Sequence, residues 1–290
     1  MSIFGIGTVV VDHAVLLDKF PECDTKNSVR RSWKQIGGPV PVALSTAAFY
    51  GNACGFLGRW GTDDAGAFIE HGLRKRGIHL DASKSDPTWS TGFAHVWVTP
   101  DGKRTIAYSR GEFPLPTETE VANTSLGNDH ILHLDGWASD AALAASRVIR
   151  DSGGTVVLDA GSMKPGVERL FPLVDILVAS ELFRRNCFGK ADVGDDELRS
   201  LKCDSVLTTH GPDGARWLTD EGAFGHAGFS VDAVDTNGAG DIFCGALLHA
   251  LIHKYDKLQT LEFANAVAAL SCTHHGNETL PTLADVRSFV

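Results

Sequence analysis

Apolar and polar positions along this chain alternate between two rhythms. Short, nearly unbroken apolar runs at 9–11, 53–57, 131–134, 156–158, 176–179 and 206–209 predict strands, and stretches with a three- to four-residue period at 64–76 and 139–151 predict helices between them. Strands without internal alternation, separated by helices, are the pattern of a mostly parallel sheet covered on both faces. The N-terminal stretch "MSIFGIGTVVVDHAV", apolar except near Asp12, predicts the first buried strand. Two regions depart from this rhythm. "NSVRRSWKQ" (27–35) alternates, and "FAHVWVTPDGKRTIAY" (93–108) has two β-rich arms around a Pro-Asp-Gly turn. They predict paired antiparallel strands in a second, smaller sheet. Towards the C-terminus Phe243, Ala246, Leu247, Ala250 and Leu251 form a helical stripe that begins near Gly240. No repeat, low-complexity tract or Pro/Gly/Ser linker divides the chain, so 1–290 is expected to be one unit.

Composition narrows the function classes. With 36 Asp and Glu against 26 Lys and Arg, the net charge of −10 gives no general attraction for nucleic acid or an acidic membrane surface, so an anionic ligand needs a local site. The six cysteines (23, 54, 187, 203, 244 and 272) lie far apart without a C-x-x-C pair. That is the pattern of reduced thiols and predicts a cytoplasmic protein. The N-terminus has no basic region of a signal peptide, and no stretch is long enough to cross a bilayer.

The most informative segment is "DTNGAGD" (235–241), placed directly before the striped helix. Successive small residues let backbone N–H groups converge, and a helix N-terminus adds the positive end of its dipole, so Gly238, Ala239 and Gly240 are suited to a phosphate or a developing phosphoryl charge. Asp241 stands beside them as a carboxylate able to accept a proton from an attacking hydroxyl. Taken alone, a G-x-G-D reads equally as a tight turn with an acidic residue in the first helical turn. No Walker loop occurs, and "GIGTVV" is too incomplete for a dinucleotide fingerprint.

"DTNGAGD" resembles the D-T-x-G-A-G-D signature of the ribokinase-like, or PfkB, carbohydrate kinases at every specified position. "GGPVPVALSTAAFYGNACGFLGRWGTDDAGAFI" (37–69) resembles that family's N-terminal signature, with closing glycines and an aspartate at Gly58, Gly61, Asp63 and Gly66. "VLTTHGPDGARWL" (206–218) and "FANAVAALSCTHHGNETLP" (263–281) are similar to its nucleotide-side segments, so the likeness covers essentially the whole chain.

The resemblance implies a three-layer α/β fold with a mostly parallel sheet, a small β lid formed by about 13–35 and 90–112, and phosphoryl transfer from ATP with Mg2+ to a sugar hydroxyl. It makes Asp241 the catalytic base and the N–H groups of Gly238, Ala239 and Gly240 the anion hole. Asp12 and the paired Gly37 and Gly38 fall on the sugar side, where Arg110 is a candidate contact for an anionic substituent. Thr209, Gly211, Gly214, Asn265 and Ser180 fall on the nucleotide side. Glu181 is the candidate carboxylate near Mg2+, and Asp235, with the loop 274–279, the candidate holder of K+. His274 and His275 read as loop polarity, since neither has a ligand partner at metal spacing.

Three positions depart from the family pattern. Val42 stands where G-G-x-x-x-N has asparagine, and the N-x-x-E element reads Ser180, Glu181, Leu182, Phe183. These departures resemble ketohexokinase and kinases of modified fructose, which makes a ketohexose or a derivative the leading acceptor. Ribokinase and adenosine-type kinases are the alternatives, the latter with Trp33, Trp97 or Phe113 stacking on a base. A protein that binds sugar or nucleotide without catalysis is the alternative of another class. Lid edges that invite strand pairing point to a possible homodimer.

Overall fold

The computed structural model describes residues 1–137 and 139–290. Its first part runs β1 (Ser2–Ile6), β2 (Val10–Leu17), β3 (Val29–Gly37), α1 (Pro39–Phe49), β4 (Cys54–Leu57), β5 (Arg59–Gly61), α2 (Asp64–Lys75) and β6 (Ile78–His79). There follow β7 (Lys84–Asp86), β8 (Ser90–Val98), β9 (Arg104–Glu112), α3 (Glu118–Ala122), β10 (His130–Leu134), α4 (Asp140–Ser152) and β11 (Thr155–Ala160). The C-terminal part runs β12 (Ile176–Ala179), α5 (Glu181–Phe188), α6 (Asp195–Arg199), β13 (Ser205–Thr209), β14 (Ala215–Thr219), β15 (Gly222–His226), α7 (Ala239–Ile252), α8 (Lys257–Ser271) and α9 (Leu283–Phe289).

The large sheet has the order β15-β14-β13-β12-β11-β10-β1-β4-β6. From β13 to β6 every neighbouring pair is parallel, while β14 and β15 extend one edge antiparallel. One face packs on α1, α7 and α8 through a cluster that includes Leu44, Leu247 and Val267. The other packs on α4 and α5 through Leu143, Ile149 and Phe183. Two covered faces explain why β11 and β12 read as unbroken apolar runs. The stripe on α7 understates its burial: every residue from Ile242 to Ala250 is buried, because α1 and α8 both pack against this helix. Among the described residues no helix is long and apolar enough to cross a membrane.

The second sheet has the order β3-β2-β8-β9. It is not wholly antiparallel as the sequence suggests: β2–β3 and β8–β9 are antiparallel, but the central pair β2–β8 is parallel. Side chains alternate across it. Ala14, Ala94, Val96 and Val98 are buried on one face, and His13, Phe93 and His95 are exposed on the other.

The N-terminal expectation needs a further correction. The apolar stretch is two strands in two sheets, not one: β1 lies in the large sheet and β2 in the small one. The chain changes sheet at Gly7-Thr8, where the Thr8 N–H and hydroxyl both donate to the Asp135 carboxylate (2.6 and 2.8 Å). Asp12 consequently sits on β2 and not at the end of the first strand.

Candidate functional site

In an open parallel sheet, ligands bind outside the carboxyl ends of the strands. A cavity of about 190 Å³ lies there, with Thr8 just past β1, Trp137 past β10 and Lys164 past β11 among its lining residues. The small sheet supplies Val10, Asp12, Ala94, Ile106, Tyr108 and Arg110, and the entry to α7 supplies Asn237, Gly238 and Asp241. A larger cavity of about 440 Å³ opens at the amino ends, beside Ser2, Cys54 and His130. Position in the fold, not size, favours the first as the site.

Asp12 is held from two sides. Gln35 of β3 and Asn237 both donate to its Oδ2 at 3.2 Å. Oδ1 lies over Gly37, where a Cβ would come within 2.2 Å of it, so a glycine is needed for the carboxylate to occupy this place. Gly38 has φ +105°, and a Cβ there would meet the Thr8 carbonyl at 2.4 Å. Gln35 Oε1 also accepts from the Asn277 N–H and from Trp33 Nε1, so one side chain links β3, the loop 276–277 and the acid. Burial raises the Asp12 pKa, against the lowering effect of the Gln35 and Asn237 hydrogen bonds.

Gly238 caps α7 in the left-handed region at φ +79°, and the first helical bond runs from Ile242 N–H to its carbonyl at 2.8 Å. The Ala239 N–H already donates to the Thr236 carbonyl at 3.3 Å, which distinguishes it from the N–H groups of Gly238 and Gly240 expected beside it. Asp235 is buried and braces two loops, accepting from the N–H groups of Asn237 and Gly276 at 2.9 Å each. Asp241 faces the cavity. Burial, with the Asp159 carboxyl beside it, pushes its pKa well above the ordinary carboxylate range. Asp159 at the end of β11 is itself raised to about 7 by burial and by Asp135, while Cys244 of α7 hydrogen-bonds to it. A carboxyl tuned upward in this way is a stronger proton acceptor once ionised.

The expected nucleotide-side residues lie elsewhere along the same carboxyl edge. Thr209 ends β13, and its carbonyl accepts from Arg184 at 3.1 Å. Gly211 has φ +57°, and Gly214 has φ +97° with no room for a Cβ, which would lie 2.2 Å from the His226 carbonyl. Asn265 is buried on α8, and its amide nitrogen bonds the His226 carbonyl at 3.2 Å. Ser180 caps α5, accepting from the Phe183 N–H and donating to the Gly161 carbonyl. Glu181 is exposed and ion-paired to Arg185 at 2.7 Å, outside the cavity lining. Phe183 is fully buried against Phe171, which accounts physically for an apolar residue at that departure.

Sequence reasoning did not single out Trp137, Lys164, Asp135, Asp159, Asn237 or Asn277. Asn237 stands inside the quoted motif and had the strongest available signal. Of the aromatic residues weighed for base stacking none is in the cavity lining: Trp97 packs edge-on to Phe20, Trp33 against His275, and Phe113 against Trp89 and behind the lining residue Arg110. Trp137 is the tryptophan that lines the cavity. Arg110, the candidate contact for an anionic substituent, lies on β9 with its guanidinium 4.8 Å from the Trp137 ring centre.

A family model described as pfkB family carbohydrate kinase matches residues 2–283. The chain is 28% identical over 294 residues to the ATP-dependent ribose-1-phosphate kinase of Halopiger xanaduensis, covering 100% of this chain and 98% of that relative. It is 28% identical over 290 residues to fructokinase-2 of Oryza sativa subsp. japonica, covering 88% of this chain and 84% of that one. The structure of Arabidopsis thaliana ribokinase complexed with ribose and ATP superposes with a TM-score of 0.81 at 22% identity, covering 99% of this chain and 98% of that one.

Proposed function

The chain belongs to the pfkB family of carbohydrate kinases, and we propose that its whole length acts as one kinase unit in which Asp241 is the base and the small sheet is the lid. The observation that carries this reading is the meeting of Asp12 and Asp241 in one cavity, directly at the N-terminus of α7. Asp12 accepts hydrogen bonds from acceptor hydroxyls and sets their orientation. Asp241 takes the proton of the attacking hydroxyl as its oxygen bonds to the γ-phosphorus of ATP and the bond to ADP breaks. The N–H groups at the start of α7 meet the negative charge that develops on the transferring group. The small sheet, covering the cavity from the other side, limits loss of the phosphoryl group to water.

A ketohexose or derivative remains the leading acceptor on the Val42 and Phe183 departures alone, since the relatives at 28% identity include a ribose-1-phosphate kinase as well as a fructokinase. Ribose and nucleosides are the alternatives. Trp33 and Trp97 lie outside the cavity, so a nucleoside base would stack on Trp137 instead.

Among the described residues no cluster of three or more His, Cys, Asp or Glu could cage a metal ion. Mg2+ fits this site as an ion carried largely by the nucleotide phosphates and water; when bound it would neutralise phosphate charge. Asp235 already ties two loops through its oxygens, so K+ beside it would reinforce a brace that is present without it. Cytoplasmic location and a homodimer through the exposed edges of the lid complete the proposal.

The decisive experiment is ADP release across a sugar panel by wild type and Asp241→Asn. The substitution is expected to lower kcat by about 10²–10⁴-fold with acceptor binding nearly intact. Equal turnover by the two proteins would remove Asp241 from the mechanism.

A further inference from the structure

Arg110 brings a buried donor without a partner to the cavity wall. Its Nη1 is shielded from solvent and has no hydrogen-bond partner among the described residues. The guanidinium lies 4.8 Å from the ring centre of Trp137 and 5.5 Å from that of Phe113, so aromatic faces hold it in place while leaving its in-plane donors for something else. Lys164, another lining residue, has its Nζ 5.6 Å from the same Trp137 ring. The charge of Lys164 is felt by the buried Asp135 and Asp159 carboxyls; among the described residues no acid forms an ion pair with Arg110. In a chain with net charge −10, a pair of cations gathered at one cavity wall is not a reflection of a generally basic surface.

A neutral hydroxyl would satisfy a donor but leave the charge uncompensated, whereas an oxyanion with two oxygens in one plane matches the guanidinium fork. We infer that the acceptor carries an anionic substituent, a phosphate monoester or a carboxylate, held between Arg110 and Lys164 beside Trp137, while its reacting hydroxyl lies near Asp12 and Asp241. This inference rests on the kinase reading of the same cavity. The other anion that reaches the site is the transferring phosphoryl of ATP. Arg110 is assigned to the acceptor because it projects from β9 with Ile106 and Tyr108, in the sheet that carries Asp12.

The test uses the full chain at saturating ATP and compares matched acceptors: fructose with its 1- and 6-phosphates, ribose with its 1- and 5-phosphates, and glucose with gluconate. The expected result is that at least one anionic member exceeds its neutral partner in kcat/KM by about 30-fold or more, the scale set by a buried charge pair. Arg110→Gln is expected to erase most of that preference while KM for ATP stays within about twofold, with Arg110→Lys restoring part of it. The phosphate and gluconate arms identify the anion.

Preference for neutral sugars by wild type overturns the inference and leaves the kinase reading standing. A rise in KM for ATP in Arg110→Gln, with neutral and anionic acceptors affected alike, overturns it by assigning the cation to the nucleotide. Silence across the panel counts against the kinase reading. Calorimetric titration of fructose 6-phosphate and ribose 5-phosphate without ATP then decides the anion site: binding lost in Arg110→Gln supports it, and absent or Arg110-independent binding overturns it. A melting curve for each variant identifies loss of fold.

Discussion

At the scale of single residues, the acceptor side depends on one absent side chain. A methyl group at Gly37 would come 2.2 Å from Asp12 Oδ1, so Gly37→Ala is expected to displace the acid without touching the chemistry at Asp241. Loss of hydrogen bonds to a charged group is worth about 1.5–3 kcal/mol. The acceptor KM should therefore rise by about ten- to hundredfold, as in Asp12→Asn, with circular dichroism unchanged; a normal KM would show that Asp12 does not hold the acceptor. Asp159 acts through its neighbour. Asp241 works as a base only when ionised, and its pKa is raised by burial and by Asp159, so activity is expected to fall as pH drops through a value above the ordinary carboxylate range. Asp159→Asn removes the neighbouring acid, lowers the Asp241 pKa and should move the acid limb of the kcat/KM profile to lower pH. Stability gives an independent check. The folded Asp159 titrates at about 7, above the roughly 3.9 of an unfolded aspartate, so its contribution is full below that lower value and is lost as pH rises through 7. Asp159→Asn should accordingly melt above wild type at pH 8, with a smaller gap at pH 5.

Elements differ in how much the sequence reveals of them. The buried strands β10 to β13 were legible because parallel strands covered on both faces carry unbroken apolar runs, and α2 and α4 because each has a clear amphipathic period. The break at Gly7-Thr8 was not, since apolar residues flank it on both sides and its cause, Asp135, lies far away in sequence. The same reason hides half of the site. Asp135, Asp159 and Lys164 carry no motif of their own, and only the packing of β10 beside β11 brings their strand ends together. Gly238 to Asp241 were legible because a helix N-terminus and its turn form one contiguous segment. The β5 ribbon was also missed, being only three residues long. It is joined to α3 by the buried pair Arg59–Glu120 at 2.6 Å. Burial would raise Glu120, but Lys84, Thr117 and Arg59 together hold it down to about 2. Removing one partner leaves an uncompensated buried charge, so Glu120→Ala should cost about 3–5 kcal/mol in chemical denaturation; a loss under 1 kcal/mol would mean that solvent reaches Arg59.

On the scale of the whole molecule, the two sheets are joined at the edges of the cavity by side chains and not by a shared strand. Arg104 at the start of β9 donates to Thr236, whose hydroxyl donates to the Gly102 carbonyl in the β8–β9 turn. Asn237, on the adjoining stretch of chain, reaches Asp12. The segment before α7 is thus in contact with both hairpins of the small sheet. Hydrogen exchange of residues 234–238 is expected to quicken in Arg104→Ala if this tether stabilises the segment, and to stay unchanged if the contact is incidental.

The alternation along β9 has a consequence for how such a chain can vary in length. Arg104, which reaches Thr236, and Ile106, Tyr108 and Arg110, which line the cavity, all occupy even positions on one strand, opposite Val98, Val96 and Ala94 of β8 at the first three. A single residue inserted within β9 would turn either the segment before it or the segment after it inside out, presenting Thr105, Ala107 or Ser109 in place of those side chains. Two inserted residues would preserve the facing set. The strand that holds Arg110 therefore tolerates change in length by even steps, or by a single residue only where a bulge absorbs it as between Leu16 and Leu17 of β2, whereas the Thr99–Lys103 turn can lengthen by one residue without changing which side chains look inward.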